Sequence, residues 1–273
     1  MPRFAANIST MFTDRPFAER IRAAAAAGFD AVECQFPYEV AAGELERRLA
    51  EAGMELILLN APPGDFAAGE RGLAGLPGRE GEFRAGLDRA LEYATRLGCP
   101  QIHVMAGVRP EATSKDACLE AYRANLRIAA DACARAGRVA LIEPINTRDI
   151  PGYLLNTPAE GAAIIAELGR ASLMLQFDFY HAQIMTGDLA RSFERHLPII
   201  GHVQIAGVPE RHEPDTGEVN YPYLFDLIDR LGYAGWIGCE YFPAGGAEEG
   251  LGWAYRYGIA PRSTTLATGG ERV

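Results

Sequence analysis

The feature that most narrows the fold is a repeating unit: a short apolar run, a loop, then a longer amphipathic segment, recurring about eight times along 273 residues. The apolar runs fall at 4–8, 31–34, 54–59, 101–105, 139–142, 173–177, 199–205 and 236–239. Most are apolar almost throughout, as strands covered on both faces must be. Between them, spacing of the 3.6 type predicts helices at 17–27, 42–52, 82–97, 115–136, 158–168, 189–196, 221–231 and 248–257. Glycines stand just past six of these segments, at Gly28, Gly53, Gly98, Gly137, Gly169 and Gly232, where a left-handed helix terminus favours them. Thr157-Pro158 reads as a helix cap followed by proline in the first turn.

Strands alternating with helices imply a parallel sheet, open and doubly wound or closed. No glycine-rich nucleotide fingerprint follows any strand, which removes the commonest reason for an open sheet. The expectation is a single-domain (β/α)₈ TIM barrel over residues 1–260 with a flexible tail at 261–273. One insertion breaks the rhythm, a Gly/Pro-rich stretch at 61–81 after the third strand, expected to be a mobile lid or disordered.

Composition excludes several classes. A formal charge of −10 with no basic stripe disfavours nucleic acid, so a metal-dependent nuclease is a weak rival. The five cysteines are widely spaced and form no paired motif, which suits reduced thiols. No signal-peptide pattern opens the chain and no segment suits a membrane span, so the cytoplasm is expected. Lys115, the only lysine, sits beside Asp116 at a helix start, so Schiff-base and pyridoxal-phosphate chemistry are disfavoured. Oligomeric state is open, association of identical chains included.

In a barrel the chemistry lies at the strand C-termini. Three apolar runs there end in carboxylates, Glu143, Asp178 and Glu240, and the seventh carries Gln204, each about one βα unit from the next. Three carboxylates on one rim repel unless protonated, paired or bound to a cation, and Mg²⁺ or Mn²⁺ suits an all-oxygen set. His103, His181, Arg211 and His212 are expected on the same face, with Glu33, Asn7 and Asn60 as structural or rim residues. A non-catalytic binding barrel would not need carboxylates on successive strand ends.

At these residues the sequence resembles the hydroxypyruvate isomerase family, within the xylose-isomerase-like barrel superfamily. The stretches that carry the likeness are Ala-Gly-Glu-Arg-Gly-Leu at 68–73, Leu-Ile-Glu-Pro-Ile-Asn at 141–146 and Gln-Phe-Asp-Phe-Tyr-His-Ala-Gln at 176–183. Two more are His-Val-Gln-Ile-Ala-Gly-Val-Pro-Glu-Arg-His-Glu-Pro at 202–214 and Trp-Ile-Gly-Cys-Glu-Tyr at 236–241. The resemblance implies Glu143 and Glu240 as the acid–base pair, and Glu143, Asp178, Gln204 and Glu240 as ligands of the metal. It implies a small anionic hydroxy-oxo acid as substrate, with hydroxypyruvate and tartronate semialdehyde interconverted through an enediolate. The alternative is a 2-oxo-tetronate isomerase or a related sugar-acid isomerase or epimerase. His181 would donate to the enediolate, Arg71 or Arg211 would hold the substrate carboxylate, and His103 would line the pocket. Superfamily members acting on free sugars usually carry histidine where Gln204 stands.

Overall fold

The computed structural model describes residues 1–262. The expected flexible tail therefore lies, apart from Pro261 and Arg262, outside the described residues. Eight parallel strands pair in sequence order and close into a barrel, β8 against β1. They are β1 (Arg3–Asn7), β2 (Ala31–Cys34), β3 (Glu55–Asn60), β4 (Gln101–His103), β5 (Val139–Ile142), β6 (Leu173–Asp178), β7 (Ile200–Ile205) and β8 (Trp236–Cys239). Around them lie α1 (Phe17–Ala27), α2 (Ala42–Ala52), α3 (Glu80–Arg96), α4 (Lys115–Arg135), α5 (Pro158–Leu168), α6 (Phe179–Met185), α7 (Leu189–His196) and α8 (Tyr221–Arg230). The barrel read from the alternation is the fold observed.

Local chemistry explains the elements. In α2, Leu45 and Leu49 turn inward while Glu44 pairs with Arg47 and Arg48 on the solvent side, at helical spacing. Thr157 and Glu160 satisfy each other's backbone donors at the start of α5, a complete capping box. Gly28 ends α1 at φ 109°, and a Cβ there would strike the Ala260 backbone, so the end of the barrel packs against this turn. Arg262 continues that contact, donating its backbone N–H to Ala26 at 2.9 Å and pairing with Asp30. All five cysteines are free and buried, and no helix among the described residues is long and apolar enough to cross a membrane.

Three elements differ from expectation. The short helix α6 starts directly after β6, because the Asp178 side chain accepts from the Tyr180 N–H and caps it. The final segment, Glu249–Tyr257, winds as a 3₁₀ helix rather than an α-helix. Gly250 and Gly252 weaken the α form there, and Gly250 packs so closely on the Glu213 carboxylate that no side chain would fit. The insertion at 61–81 is neither disordered nor wholly a lid. Leu73, Ala74 and Leu76 are buried, Gly75 donates to Ala106, and the amide of Asn125 in α4 holds the Ala74 carbonyl at 2.9 Å. Its exposed parts are a short tip around Asp65–Gly69 and the turn at 77–81; the tip is braced by Glu70, which accepts from Arg79 and from the Asp65 N–H.

The barrel interior is layered. Ala5, Ala31 and Ile57 make a small apolar floor against Trp236. Above it the buried side chains turn polar: Asn7, Glu33, His103, Gln176, His202 and Gln204. Strand register sets these side by side, Asn7 beside Glu33, Asn60 beside His103, and Asp178 beside Gln204. An interior usually filled by branched apolar residues is here given over to hydrogen-bonding groups below one rim.

Candidate active site

At the C-terminal rim a cavity of about 230 Å³ is lined by Glu143, Glu240, His103, His181, Arg71 and Arg211, with Gln35, Asp149 and the aromatic rings of Phe36, Phe66 and Phe242 among its other walls. Glu143, Asp178, His181 and Glu240 each offer an atom within 4.8 Å of the others, and all four are buried. Glu143 follows β5, Asp178 ends β6, His181 lies in α6 directly after it and Glu240 follows β8, so three units of the barrel wall feed one point.

The carboxylates are not equally supported. Glu240 accepts from Gln35 at 2.9 Å and Asn7 at 3.2 Å on one oxygen, and from Arg211 at 2.7 Å on the other. Oε1 of Glu143 and Oδ2 of Asp178 are buried with no hydrogen-bond partner. Burial first, and then the charges of Glu240 and Asp178, push the Glu143 carboxyl well above its ordinary range. Asp178 rises to about 7, chiefly through burial and against the opposing pull of Arg211. Glu240 rises as well, again mainly through burial.

The histidines are neutral. Burial lowers the His103 pKa to about 3, with His202 adding to it, so its approach of 3.5 Å to Glu143 is no ion pair near neutrality. Burial, then Arg211 and His103, lower His181 well below its ordinary value too. Asn146 fixes the His181 tautomer. Its carbonyl oxygen accepts the Asp149 N–H at 2.8 Å, which turns its NH₂ toward Nδ1 of His181 at 2.7 Å. The imidazole proton then sits on Nε2, 3.6 Å from Asp178 and 4.0 Å from Glu143. In that tautomer His181 is a donor into the cavity and has no lone pair there for a metal.

Unpartnered, convergent carboxylate oxygens fit a divalent cation well, since an ion would satisfy the atoms that protein donors leave bare. Gln204 lies within a hydrogen-bonded layer of the barrel interior. Its oxygen accepts from Gln176 at 2.6 Å and its NH₂ donates to Glu33 at 2.7 Å, which leaves one lone pair for any further contact. Arg211 adopts a left-handed backbone (φ 57°), a conformation that costs a non-glycine residue about 1–3 kcal/mol. Its guanidinium lies 5.0 Å from the centre of the Tyr180 ring.

The comparisons with known proteins agree with this fold. A family model described as xylose isomerase-like TIM barrel matches residues 21–257. The chain belongs to that family. It is 58% identical to the 2-oxo-tetronate isomerase of Cupriavidus necator over 94% of this chain and 99% of the relative. It is 43% identical to the hydroxypyruvate isomerase of Escherichia coli, covering 94% of this chain and all (100%) of the relative. A solved structure from Brucella melitensis, described as an AP endonuclease of family 2, superposes with a TM-score of 0.92 at 50% identity, covering 94% of this chain and 99% of that one.

Strand-end reasoning overlooked several residues of this family member that shape the site. Gln35 follows β2 at the same rim level and holds Glu240, a position the strand-end rule could have flagged. Asn146 and Gln176 act on His181 and Gln204 through amide orientation, and nothing in a single sequence marks that.

Proposed function

We propose that this protein is an isomerase of short hydroxy-oxo acids, interconverting hydroxypyruvate and tartronate semialdehyde by proton transfer. The observation that carries the reading is the pair Glu143 and Glu240, two buried carboxyls raised above their ordinary range in one cavity beside the His181 donor. Bases so placed work near their own pKa.

Glu240 is held by three donors and is the better stabilised anion, so it is assigned as the base that removes a proton from the hydroxymethyl carbon. Glu143, poorly partnered and more strongly raised, delivers a proton to the former carbonyl carbon. The hydroxyl proton passes between the two substrate oxygens, which Nε2–H of His181 faces as a donor. Arg71 or Arg211 supplies the cation for the substrate carboxylate. Glu143, Asp178 and Glu240 would hold a Mg²⁺ or Mn²⁺ ion, with Gln204 beneath as a fourth oxygen. Such an ion supplies Lewis acidity to adjacent substrate oxygens. His103 forms part of the wall. A reducing cytoplasm suits the buried free thiols, and the net negative charge disfavours nucleic acid, while Arg71 and Arg211 outweigh that field for a small anion inside the pocket.

A second reading, the same carbonyl shift on a four-carbon 2-oxo-tetronate, is favoured by the 58% identity to the Cupriavidus enzyme. Side-by-side turnover of hydroxypyruvate and a 2-oxo-tetronate with Mn²⁺ separates the two. Glu143→Gln and Glu240→Gln should each lower kcat by at least about 10²-fold while the fold persists, and solvent deuterium should enter the wild-type product. Near-normal turnover by both variants would refute the proton-transfer assignment.

A further inference from the structure

Below the cavity lies a carboxylate that the reaction above does not use. Glu33 on β2 is fully buried, yet both of its oxygens are engaged. Oε1 accepts from Asn7 at 2.9 Å and from Gln204 at 2.7 Å, and Oε2 accepts from Nε2 of His202 at 2.6 Å. Gly238 on β8 faces it, and a Cβ at that position would collide with the carboxylate, so the barrel is hollowed to admit this group. A buried charge costs several kcal/mol unless well bonded, and apolar packing of similar volume is often no less stable. A merely structural role accounts poorly for it.

Its contacts run upward to the site. The Asn7 NH₂ that donates to Glu33 also donates to Oε1 of Glu240. The Gln204 amide that donates to Glu33 turns its oxygen to the NH₂ of Gln176. One carboxylate therefore stands at the foot of two hydrogen-bonded arms, one ending at Glu240 of the proposed acid–base pair and the other holding the Gln204 amide against Gln176. Oε1 accepts from both amides, so each must turn its NH₂ toward it. That constraint fixes which end of the Gln204 amide points away from Glu33 and which way the Asn7 amide faces.

We propose that Glu33 is a positioning residue, setting Glu240 through Asn7 and fixing the orientation of the Gln204 amide directly. Its activity arm rests on the isomerase reading, and its structural arm does not. Glu33→Gln keeps the volume but brings its own donor, so the Gln204 and Asn7 amides lose their enforced orientation. The expected result is a kcat lowered about 10–100-fold with KM within about 3-fold, and Mn²⁺ affinity measured calorimetrically weakened over the same range, as for other groups that orient ligands from behind. In a crystal structure of Glu33→Gln, the Gln204 and Glu240 side chains should leave their wild-type positions. If both stay in place, the proposal is overturned whatever the kinetics show. Should wild type turn over neither acid, the isomerase reading fails and the crystallographic arm still decides Glu33. Should Glu33→Gln not fold, Asn7→Ala cuts one arm alone: Glu240 should move while Gln204 keeps its bond to Glu33, and an unmoved Glu240 overturns the proposal.

Discussion

Two arginines face the same cavity from opposite loops, and they are held in opposite ways. Arg211, in the loop after β7, is mostly buried, bonds Glu240 at 2.7 Å and lies 3.8 Å from Asp149. Burial alone would lower its pKa, yet Glu240, Asp178 and Glu143 together raise it. Arg71, at the tip of the insertion, lies over the Phe66 ring at 3.7 Å and donates to the carbonyls of Phe66 and Glu70. The Glu70 carboxylate that might have paired with it is taken by Arg79. Arg211 is thus the resident counter-ion of the carboxylate cluster, while Arg71 is held in place with its charge unspent. On that division we propose that Arg71, rather than Arg211, takes the incoming substrate carboxylate.

Arg211→Ala should break this comparison most severely. Removing one partner of a buried ion pair costs about 3–5 kcal/mol, so thermal unfolding of the metal-free variant should move down by many degrees. Adding Mn²⁺ should recover part of that loss, because an ion replaces the missing positive charge. A variant as stable as wild type without metal would show that Arg211 is not the counter-ion.

Arg71→Ala should leave stability unchanged and raise KM about ten- to a hundred-fold with kcat nearly kept, since a charge-assisted contact is worth about 1.5–3 kcal/mol. Steady-state kinetics on hydroxypyruvate and a 2-oxo-tetronate test this. Wild-type KM on both would leave Arg71 a surface residue and return the substrate carboxylate to Arg211.

The contrast also marks what a sequence can carry. Strand ends are legible because burial on both faces makes them apolar and a terminal acid stands out, so Glu143, Asp178 and Glu240 could be placed on one rim. The closing of the barrel followed from the same pattern. The left-handed backbone of Arg211 was not legible, because an Arg-His-Glu-Pro run carries no glycine to announce it. Nor was the anchoring of the insertion, where a Gly/Pro-rich stretch that looks mobile is tied down through Leu73–Leu76 and the distant Asn125. Glu33 looked like any strand acid, since its meaning depends on Asn7, His202 and Gln204, which the barrel's closure brings together from other strands.

The smallest expected effect is a pH dependence that sharpens the counter-ion assignment. Asp178 is raised from 3.8 to about 7, by burial above all, and Glu143 and Glu240 shift the same way. A carboxyl raised on folding binds its proton more tightly in the native state than in the unfolded chain. Its contribution is therefore most favourable below the unfolded pKa and is lost as pH climbs through the folded one. Metal-free protein should lose a few degrees of Tm between about pH 5 and 7 from this source, on the order of what one such group can shift. Bound Mn²⁺ displaces those protons, so the stabilisation it brings should grow across the same interval. Arg211 opposes the rise in Asp178, so Arg211→Ala should move the transition to higher pH, whereas Arg71→Ala should leave it in place. Thermal unfolding at pH 5, 6 and 7 with and without Mn²⁺ reads all three proteins. Identical pH profiles for the two arginine variants would mean that the cluster does not sense Arg211, and the distinction between a resident and a free arginine would fall.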